Sequence, residues 1–236
     1  MATVCFVIPC WNEEKVVGKV VKSIRSTFKA TGHTFVVVVV NDQSSDNSSE
    51  VARKSGAIVI DHILNQGAGG AVATGLRYAR ENGFDYVVTL DADGQHDPSD
   101  ARSCLEKTIE SEADLLIGSR MIDTGDMSSS IVLGNKGLSV ISNLLFGIKV
   151  SDSQSGLRVF SQKAIENLRW KSSRYEFCSE MLLRAKQERL EIKEHPIKAI
   201  YTDYSNSKGQ NRYSAVANGV HIVKQLVKWR ITGVFE

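Results

Sequence analysis

Phe35–Val40 is an unbroken apolar run, mostly valine, that ends abruptly in the polar string Asn41-Asp42-Gln43-Ser44-Ser45-Asp46. A strand that is apolar on both faces belongs in a sheet covered on both sides. No other stretch constrains the fold as strongly. Val4–Ile8, ended by Pro9, repeats the pattern, as do Ala57–Ile60, Tyr86–Leu90 and Asp114–Ile117. Helical segments separate these runs. One is capped by Asn12 and continues through Lys22, with Glu13 and Glu14 at its positive end. A second runs through about Lys54, and a third opens at Asn65-Gln66-Gly67-Ala68-Gly69-Gly70-Ala71 and carries Gly75. A fourth starts at Pro98, with Asp97 as its cap. This alternation predicts a doubly wound, mostly parallel α/β sheet. Right-handed crossovers place the polar strand ends at Pro9, Asp42 and Asp91 along one edge, the edge where open α/β sheets bind ligands.

The alternation weakens in the second half. Gly118-Ser119-Arg120 follows the fifth strand, and Ile122–Asn135, rich in Gly and Ser, reads as a mobile loop. A helical piece near Gly137–Phe146, a polar turn over Asp152–Arg158 and a helix containing Glu180 come next. Ile192–Ile200 reads as a strand, with Pro196 marking a sheet edge. An amphipathic helix over about Ser214–Trp229 closes the pattern, and the division expected is 1–212 as the main domain and 213–236 as a C-terminal helical extension.

The chemistry concentrates after the fourth strand, in Asp91-Ala92-Asp93-Gly94-Gln95-His96-Asp97-Pro98. Two carboxylates and an amide on one short turn are oxygen donors suited to Mg²⁺ or Mn²⁺, which often take one or two carboxylates plus substrate phosphates. His96 adjoins them and is read as part of the site. The glycines Gly67, Gly69 and Gly70 lack both the dinucleotide-binding spacing and a Walker lysine, so tight turning and close helix–sheet packing is the simpler role. Arg120 is placed to neutralise a diphosphate. A net charge of +2 gives no bulk reason to expect nucleic acid as a partner. Cys5, Cys10, Cys104 and Cys178 form no paired motif, which points to reduced thiols and a cytoplasmic setting. Neither a signal peptide nor a membrane-spanning run is read.

Taken in order, these positions resemble the family 2 glycosyltransferases of the GT-A fold, and within them the dolichyl-phosphate mannose or glucose synthase-like branch. The resemblance rests on Ile8–Glu13, Val40–Asp46, Asn65-Gln66-Gly67, Asp91–Pro98, Gly118-Ser119-Arg120, Asp152–Arg158, Glu180 and Ser207-Lys208. It implies a Rossmann-like GT-A sheet with a C-terminal extension on the acceptor side. It implies that Pro9, Trp11, Glu13 and Asp42 hold the nucleoside, with Gly67 beside them. Asp91, Ala92, Asp93 and Gln95 would hold the sugar diphosphate, and Asp91, Asp93 and Gln95 a Mg²⁺ or Mn²⁺ ion. Arg120, Arg158 and Lys208 would face phosphate charge. The chain departs from the family pattern at Asn41, Gln43, Ala68 and Trp11, where an acid, a glycine, a basic residue and a tyrosine are common. These departures bear on the base more than on the reaction.

The activity implied is inverting transfer of a hexose, of mannose or glucose type, from a GDP- or UDP-linked sugar to a polyprenyl phosphate. Asp93 and Arg120 would act at the leaving group. A phosphate acceptor is ionised near neutral pH and needs no strong base; a hydroxyl acceptor would need one, with Asp152 or Glu180 as the candidates. Two alternatives stand beside this reading: a family 2 enzyme with a hydroxyl acceptor, and a non-catalytic nucleotide-sugar binding subunit. Lys208, Arg212, Lys224, Lys228 and Arg230 are unopposed by acids between Tyr204 and Phe235. Val216, Val220, Val223 and Val227 recur there at helical spacing. That helix either packs on the catalytic domain or meets the cytoplasmic face of a membrane, directly or through a membrane partner subunit.

Overall fold

The protein is described from a computed structural model, which covers residues 1–124, 127, 129–200 and 212–232. One seven-stranded sheet has the order β3-β2-β1-β4-β6-β5-β7. Its strands are β1 Thr3–Cys10, β2 Thr34–Asn41, β3 Ile58–Asp61, β4 Tyr86–Thr89, β5 Leu115–Ser119, β6 Arg158–Ser161 and β7 Ile192–Pro196. All are parallel except β6, which runs antiparallel between β4 and β5. The register sets Cys10 beside Asn41 and Asn41 beside Asp61. The carboxyl ends of β1, β2 and β3 therefore line up along one edge, and β4, next to β1, delivers Asp91 to the same edge.

Helices α1 Val17–Phe28, α2 Ser48–Lys54, α3 Gly67–Glu81, α4 Pro98–Ser111, α5 Ser129–Phe146, α6 Gln162–Asn167 and α7 Phe177–Gln187 cover the sheet, followed by a C-terminal helix, Arg212–Thr232. Both faces of β1 and β2 are buried, as their continuous apolar runs require. Val4, Phe6, Ile8, Val37 and Val39 pack under α1 and α4, while Cys5, Val7, Val38 and Val40 pack under α3 and α7. Close approach of α3 to β1 depends on Gly75, because a Cβ there would lie 2.1 Å from Val7 Cγ1. Asp97 caps α4 as expected, accepting from Ser99 N, with Pro98 in the first turn.

Four expectations are corrected. The first helix does not begin at Asn12: α1 starts at Val17, and Asn12 is left-handed with φ 55°. Its side chain caps nothing on α1; instead Oδ1 accepts from Ser45 N and fastens the turn after β2. The stretch Ile122–Asn135 is not one loop, since α5 already begins at Ser129. Arg158 does not close a turn; it is the first residue of the antiparallel strand β6. The last strand ends at Pro196 rather than Ile200, and among the described residues it lies at the sheet edge, paired only with β5.

Candidate active site

The polar edge of the sheet is built from turns that bond to one another. Glu13 N donates to Ser48 Oγ at 2.7 Å, Asn12 N to Ser44 Oγ at 2.9 Å, and Asn65 N to Gln43 Oε1 at 2.9 Å. Asn41 Nδ2 donates to Asp61 Oδ1 at 2.8 Å. Gln43, like Asn12, is a left-handed non-glycine, with φ 59°. Such conformations persist only where the surroundings over-determine them, and here both side chains are used, Gln43 Oε1 by Asn65 N and Asn12 Oδ1 by Ser45 N. Above this frame Trp11 is 57% exposed, the one large aromatic of the first turn open to a ligand.

Asp91 and Asp93 stand on the turn after β4. The side chain of Asp91 is 46% exposed, whereas that of His96 is 3% exposed. The carboxylate therefore faces outward over a buried imidazole. His96 donates from Nε2 to Asp91 Oδ2 at 3.2 Å, since a carboxylate can only accept. The other ring nitrogen, Nδ1, is buried without a partner among the described residues. Gly156 lies against the far side of the same carboxylate: a Cβ there would come within 2.3 Å of Oδ2 and 2.6 Å of Cγ. Thr89 Oγ1 anchors Gly156 by donating to its carbonyl at 2.8 Å.

The two acids are held in different protonation regimes. Lost hydration opposes charge on the half-exposed Asp91, but the His96 hydrogen bond and the nearby guanidinium groups of Arg120 and Arg158 outweigh it and hold this carboxyl below the usual range. Burial and the neighbouring Asp91 charge push Asp93 up to about 6, with Glu13 adding in the same direction against a hydrogen bond from Gln95 N. Such a pair of crowded carboxylates is relieved by a divalent cation. Among the described residues no group of three or more His, Cys, Asp or Glu side chains forms a closed metal site. The residues present thus fit a Mg²⁺ or Mn²⁺ ion held by Asp91 and Asp93 and completed by water and ligand phosphates, not a cage supplied by protein alone. Ala92 between them is 4% exposed and packs in the core, so its side chain is unavailable to a ligand. Gln95 sits half-buried beside the pair, and its carbonyl accepts from Ile200 N at 3.3 Å.

The arginines divide by role. Arg120 binds Asp152 in a two-pronged pair, Nε to Oδ2 at 2.8 Å and an Nη to Oδ1 at 3.0 Å. Asp152 is fully buried, and 19% of the Arg120 side chain reaches solvent. Arg158 was expected to face phosphate, and this is corrected. It is 2% exposed and donates to Ser155 O at 3.0 Å and Ser153 O at 2.8 Å, with its guanidinium over the Phe177 ring. It fixes the Asp152–Arg158 turn and acts on Asp91 only through its field. Lys208 lies outside the described residues.

Two further residues expected at the ligand are engaged by the protein itself. Asp42 is 3% exposed; it accepts from Gln66 N and Gly67 N, each at 2.7 Å, and from His62 Nδ1 at 2.8 Å. It clamps the start of α3, and Gly67 has its N–H committed to that clamp. The glycine cluster likewise packs instead of cradling phosphate. Gly69 N donates to Ser173 O at 2.8 Å, and a Cβ on Gly67 would sit 2.4 Å from that same oxygen.

Glu180 is 3% exposed and accepts from Lys171 N at 3.0 Å and Ser172 N at 2.7 Å. It therefore holds the 170–174 segment against α3 through α7. Sequence reasoning did not single out His62, Gly156 or Glu194. Glu194 accepts from Ser151 N and Asp152 N at 2.8 and 3.1 Å and so presents Asp152 to Arg120. No local pattern marks it, because its partners are distant in the chain. Gly156 carried one signal, its place inside the Asp152–Arg158 string.

The comparisons agree with this geometry. A family model described as glycosyl transferase family 2 matches residues 5–169. The chain is 42% identical, over 95% of its length and 91% of the other, to the uncharacterized protein MJ1222 of Methanocaldococcus jannaschii. It is 38% identical to UDP-N-acetylglucosamine–dolichyl-phosphate N-acetylglucosaminyltransferase of Methanococcus voltae, over 87% of this chain and 88% of that protein. Glucosyl-3-phosphoglycerate synthase of Mycobacterium tuberculosis, solved with Mn²⁺, UDP and phosphoglyceric acid, superposes with a TM-score of 0.66 at 19% identity. That likeness covers 94% of this chain and 78% of the other and shows a shared GT-A fold. The chain belongs to glycosyl transferase family 2 and is a glycosyltransferase.

Proposed function

We propose that the protein transfers a hexose-type sugar, with inversion, from a nucleotide diphosphate sugar to a polyprenyl phosphate. The observation that carries the acceptor class is the state of Asp152 and Glu180. A hydroxyl acceptor needs a base within reach. Asp152 is fully buried and spent on Arg120, and Glu180 is spent on two backbone N–H groups. A phosphate monoester brings its own negative oxygen, ionised with a pKa near 6, and attacks without such help. The Methanococcus voltae relative, named for a dolichyl-phosphate acceptor and a UDP-linked donor, supports the same reading. UDP-N-acetylglucosamine is therefore the first donor to offer, followed by UDP-glucose and GDP-mannose.

In this reading Asp91 and Asp93, with Gln95 beside them, would hold the donor diphosphate through Mg²⁺ or Mn²⁺; that the mycobacterial neighbour was solved with Mn²⁺ and UDP supports a divalent ion. The ion would supply charge stabilisation as the sugar–phosphate bond breaks. Arg120 reinforces it: pinned by Asp152, the guanidinium keeps its position while negative charge grows on the leaving phosphate. His96 and Gly156 confine the Asp91 carboxylate to one orientation. Trp11 and Glu13 border the nucleoside side of the cleft, next to Pro9. The enzyme meets its acceptor from the cytoplasmic face of a membrane, as a peripheral protein. Residues 1–212 form the catalytic domain, and 213–236 the extension on the acceptor side.

The test offers a short-chain polyprenyl phosphate and the matched polyprenol side by side with each donor. The expected product is a glycosyl phosphate formed from the phosphate alone. Efficient transfer to the polyprenol, with none to the phosphate, would overturn the acceptor assignment.

A further inference from the structure

The Arg120–Asp152 pair is held from a point outside itself. Asp152 accepts from Arg120 three times, from backbone N at 3.1 Å, Nε at 2.8 Å and an Nη at 3.0 Å. Neither residue stands on a regular element: Arg120 follows β5, and Asp152 lies between α5 and β6. A site side chain keeps its aim only where other groups lock its position. The lock is Glu194 on β7, the strand at the sheet edge. Glu194 is in register with Ile117 of β5. Ile197 N, donating to Ser119 O at 3.0 Å, ties down the end of that strand.

Two arms leave the Glu194 carboxylate. The short arm runs to the acid of the pair. Oε1 and Oε2 accept from Ser151 N at 2.9 and 2.8 Å, and Oε1 also accepts from Asp152 N at 3.1 Å. The long arm runs to the arginine. Ser151 Oγ donates to Oε1 at 2.9 Å, because a carboxylate only accepts. Its hydrogen is thereby used, so Ser119 Oγ is the donor in the 2.6 Å bond between the two hydroxyls. Ser119 Oγ in turn accepts from Met121 N at 3.2 Å. Ser119 and Met121 flank Arg120, and both are buried. The chain from Met121 N through Ser119 Oγ and Ser151 Oγ to Glu194 has one direction, so each bond polarises the next. One carboxylate thus fixes the backbone at both members of the ion pair.

Stability alone does not require a carboxylate here. Glu194 is half-buried. Among the described residues its hydrogen bonds all go to Ser151 and Asp152, and none goes to a basic side chain. Taking a charge out of water without an opposite charge beside it is costly, and packing at this place would be served as well by an apolar residue. What an apolar residue could not do is accept from two chain segments at once.

The geometry points to Glu194 as a positioning residue for sugar transfer, acting on Arg120 through Ser151, Asp152 and Ser119 and not on the sugar itself. This rests on the reading of Arg120 as the cation at the leaving phosphate. A guanidinium displaced by about 1 Å keeps its charge and loses its aim, so donor binding is spared and the transition state is not.

The test has two readouts on the full chain. The first needs neither donor nor acceptor, so it stands whatever the acceptor is. Spectra of ¹⁵N-arginine-labelled protein follow the Arg120 Nε–H, identified by its loss in Arg120→Lys. In Glu194→Ala this hydrogen should exchange with water about tenfold faster than in the wild type, or more. The Arg158 Nε–H, bonded to Ser155 O, should be unchanged and report that the neighbouring turn is folded. Glu194→Gln, which keeps one acceptor oxygen, should restore most of the protection. The second readout is UDP release from UDP-N-acetylglucosamine with Mg²⁺ and a short-chain polyprenyl phosphate. Glu194→Ala should lower kcat about 10- to 100-fold, with the donor KM within about threefold. It should lower kcat no further where Arg120 is already alanine. Should Glu194→Ala fail to fold, Ser151→Ala breaks the long arm alone and should give the same pattern at smaller size. Unchanged Arg120 Nε–H exchange in folded Glu194→Ala overturns the proposal, as does an equal loss of kcat with and without Arg120. Wild-type kcat in Arg120→Ala would sink the reading of Arg120, and this proposal with it.

Discussion

Gly156→Ala changes one methyl group and should disable the site without unfolding the protein. The added Cβ would lie 2.3 Å from Asp91 Oδ2, about 1 Å short of ordinary contact. Gly156 cannot simply retreat, because Thr89 Oγ1 holds its carbonyl at 2.8 Å and Arg158 Nε holds the adjacent Ser155 carbonyl at 3.0 Å. The Asp91 side chain is 46% exposed, so it is the group that turns away. Overpacking of this kind costs roughly 1–3 kcal/mol of stability, which a domain of ordinary stability survives. Displacing a positioning carboxylate by about 1 Å costs on the order of 100-fold in rate, or about 2.7 kcal/mol of barrier. The assay is kcat/KM for sugar transfer, with Mn²⁺ affinity by calorimetry and folding by circular dichroism. Gly137→Ala is the control: nothing lies within 4 Å of its would-be Cβ in the interior of α5, so it should stabilise by about 0.5–1 kcal/mol and leave activity alone. A folded Gly156→Ala with wild-type Mn²⁺ affinity and near-normal kcat/KM would refute the assignment of Asp91 to the reaction centre.

Three more outcomes are expected. Glu180→Ala leaves the N–H groups of Lys171 and Ser172 unanswered and should cost about 2–4 kcal/mol of stability in a denaturant titration; unchanged kcat in the folded fraction would separate this role from that of a catalytic base. Asp42→Ala strips the partners of Gln66 N, Gly67 N and His62 and should lower the thermal midpoint without donor, where a pure nucleoside-binding role would raise only the KM for donor. For pH, Asp93 is pushed up to about 6, above its unfolded value. Its contribution to stability is therefore fully present at low pH and is lost as pH rises through about 6 in metal-free protein. A divalent ion favours the ionised form, so the midpoint gain on adding Mn²⁺ should be larger at pH 7 than at pH 5. An equal gain at both would contradict the role of Asp93 as a ligand.

The first half of the fold was legible because its strands are buried on both faces. Val4–Ile8 and Phe35–Val40 carry almost no polar residue that could satisfy another environment. Strand β6 was not legible. It is short, begins with a buried arginine, and earns its place only through antiparallel partners far away in the chain. The start of α5 was hidden because its apolar residues face outward, so a Gly- and Ser-rich segment showed no inward stripe. Asn12 looked like a helix cap by local preference, but the bond from Ser45 N won its side chain. At the site, the placement of Asp91, Asp93 and Arg120 just past the carboxyl ends of β4 and β5 was legible from the strand pattern. The inward roles of Asp42, Arg158 and Glu180 were not, since each depends on backbone groups delivered by another element.

The central claim is metal-dependent transfer to a phosphate oxygen at the Asp91–Asp93 turn. The most direct measurement follows the reaction by ³¹P NMR, with UDP-N-acetylglucosamine, Mg²⁺ and a short-chain polyprenyl phosphate, for wild type and Asp93→Ala. The account predicts a new glycosyl-phosphate resonance of inverted anomeric configuration with the wild type. That resonance should not form when EDTA is present from the start, and Asp93→Ala should fail to produce it while remaining folded. Full turnover in EDTA, or by Asp93→Ala, would contradict it.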